Sequence, residues 1–455
     1  MASKLSLLPP AKVTHDFAEY LKKLLYTQHT LKQHNLEESN ISEVFTHFLQ
    51  QLSTPPIHTT ILTNTLLTSR DYTIAQLQKL TKYEYSIELS PSVPECILMK
   101  SQIGNPTQIH CESTVHIVVE YKCGMAVLRG ADVYAPGIMA ISNVVNIGNI
   151  VSVFCDVEGK CTRGMTQIQK DKFTLVFLGN GVLKMGREIF KGEGVKKGLA
   201  IEMTEPIYKT PSLNNLMLDT IYLQNFPSML VAESLAPKPG NVILDMCAAP
   251  GGKAIHSALK MLGKGIIIAL DCKQSRVDVL QANVSNFQLN CIKTIKFDST
   301  KSCDIKKPVL EITMDSLPPY PPESFDKILV DAPCSGLGHR PQCFMSELKS
   351  CNEYQRQFLS QAVRLLKIGG YMVYSTCSIN PLENEENVAW VLGKWPEIIL
   401  IDAGVIMGRN GLLGYGLDQS SVEKVRRFGP TIYNESVSNS MEDTIGFFIA
   451  KFTKL

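Results

Sequence analysis

The sequence predicts an α/β protein whose C-terminal half contains a parallel sheet covered on both faces. Strand-like and helical patterns alternate after Glu205 at the spacing of α/β proteins. The strand-like runs are apolar almost throughout, as in strands that are buried on both sides. Three of them end on an aspartate and two run into a cysteine. Polar side chains therefore collect at the carboxyl edge of the predicted sheet, where such folds bind ligands.

Length and composition limit the remaining possibilities. The chain has 455 residues, enough for two or three domains, and its 45 basic and 43 acidic residues give a net charge of +2. A site for a polyanion must therefore be a local patch. Thirteen cysteines without a CxxC pair, and a start without a signal-peptide core, predict a reduced, cytoplasmic protein. No window approaches the roughly 18 apolar residues of a membrane span, so we expect no membrane contact.

Residues 1–110 are predicted to form an α+β region without a catalytic motif. Helical patterns run through DFAEYLKKLLYTQHTLKQ (16–33), ISEVFTHFLQQL (41–52) and DYTIAQLQKLTKY (71–83). A Pro-Pro break at Pro55 precedes the β-type run IHTTILTNTLL (57–67).

Residues 111–205 are predicted to form a small β-barrel. VHIVVEYKCGMAVLRG (115–130), GNIVSVFCDVEG (148–159) and FTLVFLGNGV (173–182) are typical of short strands punctuated by glycine. Nine basic residues against three acids lie between positions 159 and 197. The basic residues are Lys160, Arg163, Lys170, Lys172, Lys184, Arg187, Lys191, Lys196 and Lys197. A solvated surface would give the same charge run.

A second feature of this segment favours RNA binding. LRGADVYAPGI (128–138) resembles the start of PUA domains, which are small RNA-binding barrels, although the Gly-Asp pair that follows in that family is Gly148-Asn149 here. We therefore predict an inserted PUA-like barrel. Its candidate RNA-binding residues are Arg129, Tyr134, Lys160, Arg163 and Asn180.

Residues 206–455 are predicted to form a Rossmann-like catalytic domain. The strand NVILDM runs into the loop CAAPGGK, which opens a helix. Its small residues let a ligand approach the backbone, and the helix N-terminus favours an anionic group such as a carboxylate. The loop is not GxGxxG, so a dinucleotide is not the first expectation. The candidate cofactor-binding residues of the loop are Cys247, Ala248, Ala249, Pro250, Gly251, Gly252 and Lys253.

Aspartates at three successive strand ends predict a ligand that carries a nucleoside. Asp271 lies 24 residues after Cys247, near the roughly 20-residue offset at which an acid meets ribose hydroxyls. Asp298 and Asp331 end the next two strands. Each aspartate alone would more often be a helix cap or a turn former.

Two cysteines beside such a ligand indicate methyl transfer to carbon five of a pyrimidine. Attack by a thiolate on carbon six makes carbon five nucleophilic, so that it accepts a methyl group from S-adenosylmethionine. A second thiol can then remove the proton at carbon five. Cys334 and Cys377 follow strand ends, as this chemistry requires, whereas most free cysteines are buried small apolar residues. We assign that structural role to Cys155, Cys161, Cys272 and Cys291.

Four motifs closely resemble the Sun-domain (NOP/Sun) RNA cytosine-5 methyltransferases. They are LDMCAAPGGK (244–253), VDAPCSGLG (330–338), YSTCS (374–378) and ENEENVAWVL (383–392). The likeness extends upstream to Leu223 and downstream through DTIGFFIAKFTK (443–454). With the PUA-like segment, the chain is most similar to the PUA-bearing sixth type of that family.

The resemblance implies a fold, a cofactor and a role for each site residue. It implies a Rossmann-like domain that uses S-adenosylmethionine and methylates tRNA in the acceptor stem beside the CCA end. It also implies that Cys377 is the nucleophile and Cys334 the releasing thiol, with Asp331 facing N3 of the base and Lys253 orienting the base or supporting a thiolate. We expect no metal ion and a monomer.

The sequence departs from the family pattern at two places, and two alternative functions remain. Ala254 replaces the family's usual threonine, and the segment from His339 to Asn352 lacks a tryptophan often found there. A DNA cytosine-5 methyltransferase would use Cys334 as nucleophile with the glutamate of an ENV triplet, here Glu386-Asn387-Val388. An RNA-binding scaffold without activity would have lost the thiols or the CAAPGGK loop, and both are intact.

Overall fold

The computed structural model describes most of the chain. The described residues are 8, 10–103, 109, 111, 113, 115–142, 145–166, 172–191, 197–213, 216–308, 311–345, 351–430 and 443–455. Among them, no helix is both long enough and apolar enough to cross a membrane.

The N-terminal region combines helices with short strands, as predicted. Its elements are β1 (Lys12–Val13), α1 (His15–Leu25), α2 (Gln28–Gln33), α3 (Ile41–Ser53), β2 (His58–Thr63), α4 (Arg70–Leu80), β3 (Ile87–Leu89), β4 (Cys96–Lys100) and β5 (Gln102–Ile103). The helix predicted over residues 16–33 is divided in two. α1 ends at Leu25, and the Thr27 hydroxyl caps α2 by accepting a hydrogen bond from the Thr30 N–H at 3.2 Å.

The middle segment forms a six-stranded sheet with its own apolar core. Its elements are β6 (His116–Val119), α5 (Tyr121–Val127), β7 (Val133–Tyr134), β8 (Ile138–Ile141), β9 (Ile150–Asp156), β10 (Leu175–Leu183), β11 (Leu199–Pro206) and β12 (Tyr208–Lys209), of which β12 pairs with β5 outside this sheet. The strand order is β7-β11-β10-β9-β6-β8. The edge strands β7 and β8 are joined by residues 135–137, and this short connection requires the sheet to curl so that its two edges approach each other.

One part of this segment differs from the prediction. Residues 121–127, which we expected to be strand, form α5 and pack against β9. Gly124 makes this close approach possible, because a Cβ there would lie 2.4 Å from the Cys155 Sγ atom. Local β-type residues were therefore overridden by tertiary packing.

The C-terminal part contains the predicted α/β domain. Its elements are β13 (Ile221–Leu223), α6 (Phe226–Leu235), β14 (Val242–Asp245), α7 (Gly252–Lys260), β15 (Ile266–Asp271), α8 (Gln274–Asn286), β16 (Ile292–Lys296), β17 (Phe325–Val330), β18 (Phe344–Met345), α9 (Asn352–Leu365), β19 (Leu366–Thr376), α10 (Glu385–Lys394), β20 (Ile398–Ile401), α11 (Gln419–Val422), β21 (Arg426–Phe428) and β22 (Phe447–Lys454).

The main sheet of this domain is doubly wound. Its strand order is β16-β15-β14-β17-β19-β22-β20, and β21 also pairs with β22. The first five strands in that order are parallel, whereas β22 is antiparallel to its neighbours. Separate apolar clusters cover the two faces, with Ile243 and Val373 in one and Leu244 and Met372 in the other. The strand order reverses between β14 and β17, which makes the carboxyl edge there the expected ligand site.

The three parts are interlocked. β13 pairs with β2, so a strand from residue 221 onward completes the N-terminal sheet β13-β2-β4-β3. β18, from the segment after Cys334, pairs with β1. The buried Cys343 next to β18 belongs to the core of the middle segment. The chain between β17 and α9 is therefore held by both preceding parts.

Candidate active site

The two predicted thiols meet at the carboxyl edge of the main sheet. Cys334 follows β17 and Cys377 follows β19, and these strands are parallel neighbours in register from Lys327 opposite Tyr371. The Sγ atoms lie 3.3 Å apart, and both cysteines are free and partly exposed. A hydrogen bond to Cys377, together with burial, raises the pKa of Cys334 well above its usual value. Both causes disfavour a thiolate at Cys334.

An ion pair lies beside the thiols. The Lys253 Nζ atom, near the start of α7, is 2.8 Å from Oδ2 of Asp331, and Ser375 donates to Oδ1 of Asp331 at 2.7 Å. The side chains of Lys253 and Asp331 retain 13% and 28% of their exposure. Lys253 also lies over the Phe447 ring, 5.5 Å from its centroid. The pair is fixed at its base but remains open toward a ligand.

The CAAPGGK loop is held from outside by α8. Arg276 donates to the Ala249 carbonyl at 2.7 Å, and the Asn283 amide donates to the Pro250 carbonyl at 2.8 Å. A side chain at Gly252 would lie 2.9 Å from the Tyr222 ring, so only glycine fits. Because these carbonyls are bound on one side, the loop keeps a fixed shape at the start of α7.

Asp271 and Asp298 line a cavity next to this loop. Asp271 is buried at the end of β15 and accepts from the Lys273 N–H and from Arg276, both at 3.2 Å. Asp298 is more open and also accepts from the N–H and hydroxyl of Thr300, so it caps a short helical turn as well. The remaining lining residues are Met246, Cys247, Cys272, Arg276, Phe297, Ser299, Pro333, Tyr354 and Phe358. The cavity offers a carboxylate and aromatic surface, which suits a nucleoside.

Asp271→Ala is expected to weaken cofactor binding. Loss of a charged hydrogen-bond acceptor for ribose hydroxyls costs about 1.5–3 kcal/mol, which corresponds to roughly a ten- to hundredfold rise in Kd. Calorimetric titration with S-adenosylmethionine measures this. Asp278→Ala on the exposed face of α8 is the matched control and should bind as the unchanged protein does. Equal affinities in all three proteins would show that Asp271 does not hold the ribose.

Sequence reasoning missed two acids near the site. Asp245 ends β14 and is fully buried, and no partner for its Oδ2 atom is found among the described residues. Burial, together with the charge of Asp331, raises the pKa of Asp245 to about 7. It gave the same signal as the predicted acids, a carboxylate at a strand end. Glu383 is also fully buried and lies behind the thiols, although its motif is typical of an exposed, charged helix start.

The predicted RNA-binding residues differ in their exposure and in the contacts that they make. Asn180 is fully buried and bonds to Ser152 at 2.8 Å and Glu205 at 3.0 Å, so the prediction that it contacts RNA is wrong. Arg163 donates to the carbonyls of residues 135, 136 and 138 and holds that turn together. Tyr134 is 54% exposed, and Lys160 is exposed and pairs with Glu158.

The rest of the basic run is partly used within the fold. Arg187 donates to carbonyls of residues 141, 164 and 165, and Lys184 pairs with Glu202 at 2.7 Å. Lys170 and Lys196 lie outside the described residues. Arg129 is exposed and lies near His339.

The segment from His339 to Asn352 links the C-terminal part of the chain to the N-terminal region. Buried Arg340 donates to the carbonyls of Gln51 and Thr54 and also pairs with Asp443. Residues 346–350 of this segment lie outside the described residues. Contacts with the N-terminal region therefore shape this wall of the site.

One cluster elsewhere resembles a metal site. Nε2 of buried His256 lies 3.6 Å from Glu95 and 3.7 Å from Glu233. The Lys260 ammonium lies 2.9 Å from both Glu233 oxygens, so a cation already faces this carboxylate. We assign no metal here, and the expectation that the protein needs none stays a prediction.

The doubly wound sheet, the cavity at its switch point and the CAAPGGK loop define a Rossmann-like methyltransferase. A family model described as 16S rRNA methyltransferase RsmB/F matches residues 232–453. The chain is 37% identical to tRNA (cytosine(72)-C(5))-methyltransferase NSUN6 of Mus musculus, covering 98% of this chain and 97% of that protein. It is 38% identical to the Homo sapiens protein of the same name, covering 99% of each.

A solved structure agrees with these relatives. The crystal structure of NSun6 from Pyrococcus horikoshii with SFG superimposes with a TM-score of 0.74 at 28% identity, covering 97% of this chain and 98% of that one. The chain belongs to the RsmB/F (Sun-domain) family of RNA cytosine-5 methyltransferases, and the predicted resemblance is confirmed. Its cofactor is S-adenosylmethionine. The cavity with Asp271 and the start of α7 fit that molecule's nucleoside and carboxylate groups.

Proposed function

We propose that this protein methylates carbon five of a cytosine in the tRNA acceptor stem, beside the CCA end, with Cys377 as nucleophile and Cys334 as the releasing thiol. The observation that carries the proposal is the thiol pair, 3.3 Å apart at the edge of the cofactor site. The position in the RNA is taken from relatives named for cytosine 72 of tRNA.

The raised pKa of the Cys334 thiol favours this assignment of roles. Because burial and the contact with Cys377 disfavour a thiolate at Cys334, Cys377 is the better candidate for the attacking thiolate. The thiolate is the reactive form. It adds to carbon six of the base, and a carbon–sulfur bond forms while electron density moves into the ring and makes carbon five nucleophilic.

Asp331 and Lys253 are placed to manage the charge that this addition creates. Negative charge develops toward N3 of the ring. Asp331, facing N3, neutralises this charge by passing on a proton from the Lys253 ammonium 2.8 Å away. Ser375 fixes the other Asp331 oxygen, so the carboxyl need not reorient during the reaction.

Release requires that the proton at carbon five be removed. S-adenosylmethionine, when bound, supplies the methyl group that carbon five accepts. Cys334 then loses its own proton to solvent and takes the proton from carbon five. The electrons of that bond restore the ring double bond, and the Cys377 sulfur leaves as a thiolate. The cysteine pair is regenerated.

The two alternatives fit the structure less well. A DNA-type enzyme needs its ENV glutamate at the base, but Glu386 lies on α10 and pairs with Arg356 at 2.8 Å. An inactive scaffold has no reason to keep both thiols, the ion pair and the cavity in one place.

The decisive experiment incubates the protein with S-adenosylmethionine and tRNA transcripts, followed by bisulfite sequencing. We expect 5-methylcytosine at one acceptor-stem position; no methylation, or methylation of DNA only, would refute the proposal.

We further propose that the curled six-stranded sheet is a PUA-like module that binds the RNA end. Its support is the LRGADVYAPGI segment and the exposed Tyr134, Arg129 and Lys160. We still expect the protein to be monomeric and cytoplasmic.

Lys160→Glu is expected to weaken tRNA binding and to lower the slope of log affinity against log salt by about one, because one phosphate contact is lost. Filter-binding titrations at several salt concentrations measure both values. Lys264→Glu, at the amino-terminal edge of the main sheet, is the control and should leave tRNA binding unchanged. Arg163 is unsuitable for this test, since its replacement would disturb the fold. Equal salt slopes for both variants would place the RNA elsewhere.

A further inference from the structure

A serine follows each of the two thiols, and the two serines are linked. The hydroxyls of Ser335 and Ser378 lie 3.0 Å apart, directly behind Cys334 and Cys377. Ser335 is bound again on its far side by Glu383. Its hydroxyl donates to Oε2 of Glu383 at 2.6 Å, and its N–H donates to Oε1 at 2.9 Å. One carboxylate therefore holds the turn that carries Cys334.

Glu383 is an unusual residue for this place. It is fully buried, in the turn between β19 and α10. Its further donors among the described residues, the Gln355 amide at 3.4 Å and the Cys351 N–H at 3.3 Å, are also neutral. A buried carboxylate costs free energy unless hydrogen bonds compensate for lost water. Neutral donors meet this cost here, and the two shortest of these bonds come from Ser335 in the Cys334 turn.

The two thiols do not depend on Glu383 equally. On the Cys377 side, the Ser378 N–H donates to Thr376 at 3.3 Å, and the Asn384 amide donates to the Ser378 carbonyl at 2.9 Å. These bonds do not involve the Glu383 side chain. On the Cys334 side, both short bonds of Ser335 end on Glu383. Removing the carboxylate therefore frees Cys334 more than Cys377.

We propose that Glu383 is a positioning residue that holds Cys334 where it can take the carbon-five proton, and so controls release of the methylated RNA. The inference rests on the proposed roles of the two thiols. It predicts that loss of Glu383 leaves attack by Cys377 largely intact but slows release, so that a covalent protein–RNA adduct accumulates.

The test compares the ratio of adduct to free methylated product in Glu383→Ala and Glu383→Gln, on denaturing gels with radiolabelled tRNA. This ratio does not depend on the fraction of protein that folds. In Glu383→Ala we expect release to slow by up to about a hundredfold, with the Kd for S-adenosylmethionine unchanged. Glu383→Gln should restore release, because its amide can accept from the Ser335 N–H and donate to the Ser335 hydroxyl.

Controls separate positioning from simple structural loss. Glu386→Ala, nearby on α10 and more exposed, should not alter the ratio. If Glu383→Ala is insoluble, Ser335→Ala removes only the hydroxyl bonds and should change the ratio in the same direction. An unchanged ratio with a lower Tm would make Glu383 merely structural and overturn the proposal. Loss of adduct and product together, with cofactor binding intact, would also overturn it. Absence of adduct from Cys334→Ser would instead refute the underlying mechanism.

Discussion

Cys377→Ala is expected to abolish both methyl transfer and the covalent protein–RNA adduct. Without the attacking thiolate, carbon six forms no bond and carbon five stays unreactive, so the rate should fall by on the order of 10⁴-fold or more. Cys377→Ser should behave similarly, since a neutral hydroxyl is a far weaker nucleophile than a thiolate. Methyl incorporation from labelled cofactor and denaturing gels report the two losses.

The structure explains why this variant should fold and bind its cofactor. Cys377 is partly exposed, and it does not line the cofactor cavity. Calorimetry should therefore give an unchanged Kd for S-adenosylmethionine. Cys303→Ala is a suitable control, because this partly buried cysteine lies outside the thiol pair. Methylation that survives in Cys377→Ala would contradict its role as nucleophile.

Cys334→Ser is expected to give the opposite gel pattern. Cys377 can still attack and carbon five can still be methylated, but the thiol that removes the proton is missing. The protein should stay bound to its product, and turnover should stop after about one equivalent. A slowly migrating band that contains both protein and labelled RNA measures this.

The comparison of the two cysteine variants separates the possible mechanisms. An adduct from Cys334→Ser but not from Cys377→Ala is the pattern we expect. The reverse pattern would make Cys334 the nucleophile, as in DNA-type enzymes. Adducts from neither variant would remove the case for covalent catalysis and leave the 3.3 Å thiol contact without a chemical role.

Local patterns sufficed to predict the catalytic edge but not the residues that support it. Asp271 ends an apolar strand, and the two thiols follow apolar strands within four residues. Parallel neighbours bring such strand ends together whatever the rest of the fold does. Glu383 could not be predicted, because its acidic motif is typical of an exposed helix start. It is buried where α9 packs against both β19 and α10.

Asn180 in the middle segment is a second residue whose burial the sequence pattern did not predict. Asn180 lies between two glycines, a pattern typical of an exposed turn, yet it lies inside β10, at the point where the pairing with β11 is irregular. Hydrogen bonds from strands distant in sequence satisfy its amide there. Such partners are set by strand order, which the sequence pattern alone does not provide.

The strand exchange between the first and last parts has a consequence for dissecting the protein. Since β13 completes the N-terminal sheet through Ile221 to Leu223 opposite Ile61 to Thr63, a fragment starting at residue 206 would carry an orphan strand. It would also expose apolar side chains that pack in one cluster with helices of the N-terminal region in the full chain, namely Leu337, Met345, Ile379 and Leu412. Unpaired strand edges and uncovered apolar surface promote self-association. We therefore expect the methyltransferase half to be recovered intact only from the full chain, with denaturant melting both ends in a single transition.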